Sequence, residues 1–430
     1  MNHRYFISVT FLLTLCGLWT CPATAQIFSK RFPNGTTLLL SPGGGTNLAG
    51  IFILVKGGSR FESEEERGTF GLIPPILKRG TVGRTPYEIT REISILGDSF
   101  DFSTTTEYWS IAATVPSERL NEAFELTQDL LVNPLFPEDG LAKEKNIAIQ
   151  TIKSRQDFPL SRLIELYNSV FYPDFYSPEE ERIAHIQNIS RQELIAVHRE
   201  FFGSENIVIS VAGSFDVKHI QGVLERMFGK LPKSRGTLER EPPIQSSDAL
   251  PLLREVKGGL TQSGVLIGTR LEGFQRKDES VLTLFGAVLR NSIGGILFEE
   301  IRERQGLVYD IDVYHSLRIT PYTWFVFGTS RKRNVKRVIR ETERILRGLK
   351  EQPLDDEELK LAREYCKTRL AITYQSPRFQ AEYIAVQAAR KERILGFEER
   401  LAEIDAVSGE ELTAFVRNYF PDDWTVLVVR

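Results

Sequence analysis

The C-terminal part of this chain repeats an earlier part at a constant offset of 218 residues, and no other feature limits its fold as tightly. Glu180–Ile186 lies over Glu398–Ile404, and Ser190–Leu194 over Ser408–Leu412. Arg199-Glu200-Phe201-Phe202 lies over Arg417-Asn418-Tyr419-Phe420, and Pro159 over Pro377, at the same offset. An ungapped match of this length marks a duplicated scaffold. Each copy closes with an amphipathic helix and then a β-branched apolar run, Ile207–Val211 and Thr425–Val429. The chain is expected to hold two similar α+β domains rather than one continuous core.

Helical periodicity runs through Thr85–Leu96, Ser117–Leu131, Glu138–Gln156, Val335–Leu349 and Leu354–Tyr374. Strand character dominates Thr36–Val55, Ser99–Val115 (read as two strands), Gly264–Gly268 and Tyr322–Gly328. Pro232, Lys233, Ser234, Arg235, Gly236, Pro242 and Pro243 give residues 232–250 the composition of a linker. An N-terminal domain over 26–231 and a C-terminal domain over 251–430 follow.

Residues 1–25 read as a signal peptide: a basic start at His3-Arg4, an apolar stretch from Phe6 to Trp19, and Ala23-Thr24-Ala25 as a cleavage site. Export to a bacterial periplasm is the expected localisation. No later apolar run approaches membrane-spanning length. Removal of the leader would leave Cys366 as the single cysteine, so no internal disulfide is expected. Acidic and basic residues are interspersed around a net charge of −3, without a basic stripe, so nucleic acid is not an expected partner.

Two segments carry the chemistry. Gly57-Gly58-Ser59-Arg60 and Lys78-Arg79-Gly80-Thr81 bracket a stretch containing Pro74-Pro75. Proline inside a helix deletes a hydrogen bond and clashes with the preceding turn, at a cost of about 3 kcal/mol. The helix there is expected to be short or kinked, and one beginning at Pro74 would avoid the cost. In the second segment Arg302 and Tyr309 stand seven residues apart. Ile293, Ile296, Leu297 and Ile301 recur at helical intervals, Gly306 can stop that helix, and Val308–Tyr314 alternates as a strand. Arg302 at the helix end and Tyr309 at the strand start are expected to converge.

These segments resemble those of the insulinase/pitrilysin family of zinc peptidases, and the resemblance covers nearly all of residues 27–430. It implies two α+β domains, each with a mainly antiparallel sheet packed by helices, closed like a clamshell around a chamber. In that family the first segment carries the inverted motif His-x-x-Glu-His. Aligned on the flanks, the first His falls on Gly71, the Glu on Pro74 and the second His on Pro75. The family's distal Glu ligand falls on Thr151, and its outer-shell Glu on Glu144. Zinc takes imidazole, thiolate and carboxylate ligands. Gly71, Pro74 and Pro75 offer none, and the chain has no His between His3 and His185 and no Cys between Cys21 and Cys366. No metal or other cofactor is therefore expected in this chain.

Arg302 and Tyr309 match the family's Arg/Tyr pair, in which the resemblance implies that Tyr donates to the developing oxyanion and Arg holds substrate backbone or that same oxygen. Retention of this pair without the metal motif implies a catalytically incomplete subunit of a two-chain processing peptidase. A homologous, zinc-bearing partner would complete a heterodimer acting on short or unfolded peptides. A non-enzymatic peptide binder or scaffold is the alternative, and a homodimer stays open. An independent hydrolase would need His185, His198, His219 or His315, each of which reads as a structural or surface histidine.

Overall fold

The computed structural model describes residues 27–43, 45–234, 250–257, 259–290, 295–316, 322–352, 354 and 356–430. The expected signal peptide, residues 235–249 of the expected linker and Ile293-Gly294 of the Arg/Tyr segment lie outside them.

Two mixed sheets organise the molecule. The first has strands β1 (Phe28–Arg31), β2 (Thr37–Pro42), β3 (Leu48–Lys56), β4 (Asp101–Thr104), β5 (Tyr108–Pro116) and β6 (Ile207–Gly213), in the order β1-β2-β6-β3-β5-β4. The second has β7 (Leu253–Val256), β8 (Ser263–Arg270), β9 (Val308–Ser316), β10 (Thr323–Ser330) and β11 (Thr425–Val429), in the order β7-β11-β8-β10-β9. Among the described residues only β2–β6 and β7–β11 pair in parallel, so both sheets are mainly antiparallel. The α+β class expected from the sequence is the class observed.

The helices are α1 (Thr69–Leu77), α2 (Pro86–Ile95), α3 (Leu120–Val132), α4 (Glu138–Ser154), α5 (Pro159–Phe171), α6 (Glu179–Asn188), α7 (Arg191–Phe201), α8 (Val217–Phe228), α9 (Glu279–Leu289), α10 (Val335–Glu351), α11 (Asp356–Tyr374), α12 (Pro377–Ala389), α13 (Phe397–Ala406) and α14 (Gly409–Tyr419). The repeat is visible to the residue: α4, α5, α6, α7 and β6 begin 218 residues before α11, α12, α13, α14 and β11. Local signals repeat with it. Ser190 caps α7 in a capping box with Glu193, and Ser408 caps α14 with Glu411. Pro159 and Pro377 open α5 and α12, where a missing N–H costs nothing.

Both faces of each sheet are buried, which explains near-continuous apolar strands. Ile51, Ile53 and Val55 of β3 enter the core beneath the first half's own helices, while Phe52 and Leu54 point the other way. That second face is covered by Ala381, Ile384 and Ala385 of α12, a helix from the second half. The reciprocal contact holds too: Leu163, Leu166, Val170 and Phe171 of α5 cover Leu266, Phe325, Leu427 and Val429 of the second sheet. The two halves have exchanged a helix.

Glycine makes each landing possible. A Cβ on Gly50 of β3 would stand 2.2 Å from the Pro377–Arg378 backbone, and one on Gly264 of β8 would stand 2.9 Å from the Pro159 carbonyl. Ion pairs tie the same joint, Arg378 to Asp101 at 2.7 Å and Arg390 to Glu107 at 3.1 Å.

Candidate functional site

Helix α1 starts at Thr69, not at Pro74, and carries both prolines inside its nine residues. Its shortness agrees with the sequence expectation. The alternative start at Pro74 is corrected: Thr69, Phe70, Leu72 and Ile73 are buried and fix the earlier turn against the core. The carbonyl that a residue-74 N–H would have bonded belongs to Phe70, and it accepts instead from the Thr104 hydroxyl of β4 at 2.8 Å. At the N-terminus, the Glu62 carboxylate accepts from the Gly68 and Phe70 N–H groups at 2.9 and 2.8 Å. Burial, only partly offset by these bonds, raises the Glu62 carboxyl to about 7.

The flanks of α1 have structural work of their own. Arg79 bonds Glu144 of α4, its Nη2 2.6 Å and its Nε 2.7 Å from the same carboxylate oxygen. Thr81 and Arg84 both reach Asp129 of α3, at 2.5 and 2.8 Å. Glu144 is buried and engaged by Arg79, while Thr151 is exposed and donates to the Ile147 carbonyl at 2.8 Å. Gly71 is exposed, with open space where a side chain would stand. Gly71, Pro74, Pro75 and Thr151 do not fit a zinc ion, because three lack donors and the fourth is a hydroxyl turned onto its own helix. Among the described residues no group of three His, Cys, Asp or Glu side chains is placed to hold a metal ion.

The second segment departs from the expected α-helix. Phe298–Glu303 forms a π-helix, in which the Arg304 N–H reaches five residues back to the Glu299 carbonyl. Gly306 then turns the chain at φ +60°, as its position predicted. Arg302 is half-exposed, its guanidinium 5.1 Å above the Phe298 ring and its Nε 3.8 Å from Glu303.

Tyr309 occupies an irregularity. Thr329 of β10 pairs with Asp310, but the next residue, Ser330, pairs with Val308. Tyr309 is the extra residue of a β-bulge, the device that re-aims a side chain at a strand end. Val308 and Ile311 both enter the core, which simple alternation forbids, and Tyr309 is turned out with 45% of its surface exposed. Its phenol oxygen accepts from Arg331 Nε at 3.1 Å. In this structure Arg302 lies against Phe298 and Glu303, and Tyr309 meets Arg331.

Arg331 had no place in the sequence expectation, and neither did Thr104 or Glu62. Arg331 opens a run, residues 331–340, with six Lys or Arg and no Asp or Glu. All six are exposed. The expectation of no basic stripe is corrected here: the whole-chain charge averages the run away, and the helical period gathers Lys336, Arg337 and Arg340 on one face of α10, just after Arg331, Lys332 and Arg333. His198 is buried among the Trp109, Phe136 and Phe202 rings, and burial lowers its imidazole to about 4. That is a packed position, not a catalytic one. No helix among the described residues is long and apolar enough to cross a membrane.

Comparison with known proteins follows the two halves. Residues 42–173 match the family described as insulinase (peptidase family M16), and residues 188–366 match the one described as peptidase M16 inactive domain. A Bacillus subtilis protein described as an uncharacterized zinc protease, YmxG, is 24% identical over 417 residues, covering 93% of this chain and 98% of that protein. The crystal structure of a protease from Helicobacter pylori superposes with a TM-score of 0.86 at 16% identity, covering 95% of this chain and 100% of that one. The periplasmic protease PqqL from Escherichia coli superposes with a TM-score of 0.74 at 12% identity, covering 94% of this chain and 47% of that one. At such identities the structural likenesses establish the fold alone.

Proposed function

The chain belongs to the M16 (insulinase) peptidase family, as a member of its inactive type, and from that premise we propose that it is the catalytically incomplete subunit of a two-chain peptidase. One observation carries the reading: a bulge turns Tyr309 outward on a chain whose metal-motif positions have no donors.

The chemistry assigned to this chain is polar stabilisation. The Tyr309 phenol, its oxygen already accepting from Arg331, has its O–H left to donate to the oxygen on which charge develops during amide hydrolysis. Arg302 would hold the substrate backbone or that same oxygen. Neither step needs a metal held by this chain. A homologous partner would bring the zinc centre, and the two chains together would hydrolyse short or unfolded peptides. The pattern of residues 1–25 supports export, and PqqL, which shares the fold, is described as periplasmic.

Hydrolysis of an unstructured fluorogenic peptide tests this, with the mature chain alone and mixed with a zinc-motif-bearing relative exported by the same organism. Activity is expected only in the mixture. Tyr309→Phe should lower kcat/KM by about 100-fold, the scale for losing one oxyanion donor, and Arg302→Ala should also lower it. A mixture no faster than the relative alone would replace this reading with that of a peptide-binding scaffold.

A further inference from the structure

The basic face that begins at Arg331 touches the Tyr309 segment directly. Arg331 bonds the Tyr309 phenol, and Arg337 of α10 donates to Gln305 at 2.9 Å. Among the described residues Lys332, Arg333 and Lys336 make no ion pair, and of the six cations in residues 331–340 only Arg340 has a carboxylate within ion-pair distance there, Glu341 at 3.5 Å. Farther along, Arg344, which is paired with Glu341 at 3.0 Å, and Arg347 continue the exposed row at helical spacing. From Arg333 to Arg347 the row spans about 20 Å at 1.5 Å per residue.

This concentration is out of keeping with the chain as a whole, whose 54 cations and 57 anions are otherwise well mixed. Charge left unneutralised on one face lowers stability by self-repulsion and raises affinity for an anion. Guanidinium groups also bind carboxylates as planar forks, which lysine cannot do. We propose that Arg331, Lys332, Arg333, Lys336 and Arg337 form a carboxylate-binding subsite that recruits acidic peptide segments beside Tyr309.

The choice of a peptide over another polyanion rests on the peptidase reading above; the binding itself can be measured without any partner chain. The probe is a dye-labelled, unstructured Ser/Gly peptide bearing several glutamates, compared with its glutamine counterpart by fluorescence anisotropy on the mature chain. The acidic peptide is expected to bind about tenfold tighter, as a few exposed ion pairs would give, and the difference should shrink as salt is added. Arg333→Glu/Arg337→Glu should abolish the preference, as should the milder Lys332→Gln/Arg333→Gln, with circular dichroism unchanged and Tm not lowered. Lys153→Glu, an exposed reversal in the other half, should leave it intact.

Equal binding of the two peptides, or variants that bind as the wild type does, would overturn the subsite. Tighter binding to anionic vesicles or to an oligonucleotide than to the acidic peptide would overturn the peptide assignment. Should the hydrolysis mixture stay inactive while the acidic preference is present and lost in the variants, the catalytic reading alone fails.

Discussion

His198 and Glu62 are buried titratable groups that pull stability in opposite directions with pH. The unfolded imidazole takes up its proton near 6.5 and the folded one only near about 4. Stability is therefore lost as pH falls through that window, by about 3 kcal/mol in all. Glu62 runs the other way. Its folded value of about 7 lies above the ordinary 4.5, so its contribution is complete below 4.5 and is lost as pH rises toward 7. Over the shared window the two offset one another. His198→Leu is expected to make denaturant stability fall more steeply with rising pH than in the wild type. Glu62→Gln is expected to change the slope in the opposite sense. Slopes that match the wild type in both variants would show that neither group titrates as the folded environment dictates.

At the scale of elements, the central fact is a helix that tolerates two prolines. The Phe70 carbonyl loses its helical donor to Pro74 and regains one from Thr104 on the adjacent strand. Thr104→Val should leave that carbonyl orphaned and cost about 1–3 kcal/mol. The same change made in Pro74→Ala should cost clearly less, since an alanine N–H restores the helical bond. Equal costs in the two backgrounds, measured by urea unfolding, would mean that the Thr104 bond is not the compensation. The caps of α7 and α14 give a second test. Ser190→Ala and Ser408→Ala are each expected to cost about 1 kcal/mol, and to add, because the two caps share no partner.

At the scale of the molecule, the exchange of α5 and α12 makes each half incomplete alone. Gly50→Ala drives a methyl into the Pro377–Arg378 backbone and should cost about 3 kcal/mol or more, although Gly50 lies in the first half and the clash in the second. Residues 27–234 expressed alone would leave Phe52, Leu54 and Tyr108 without α12. That fragment is expected to bind a hydrophobic dye and to unfold without a cooperative transition, while the full chain unfolds in one. A fragment with a sharp transition of its own would show that the exchanged helix is dispensable.

Much of this was legible in the chain itself. The capping boxes at Ser190 and Ser408 depend on residues three apart, the opening prolines at Pro159 and Pro377 on single positions, and the repeat on a direct comparison of the chain with itself, all of which a sequence displays. The unsuitability of Gly71, Pro74, Pro75 and Thr151 for zinc is equally a matter of side-chain chemistry, which needs no coordinates. What only the tertiary structure decided involves partners far apart in sequence. Thr104 sits 34 residues from the carbonyl it rescues, and Arg331 22 residues from the phenol it meets. The bulge at Tyr309 exists only as a mismatch between two strands, and the exchanged helices exist only because each sheet has a second apolar face to bury. An apolar residue in a sequence announces that it will be buried, but not against which half of the chain.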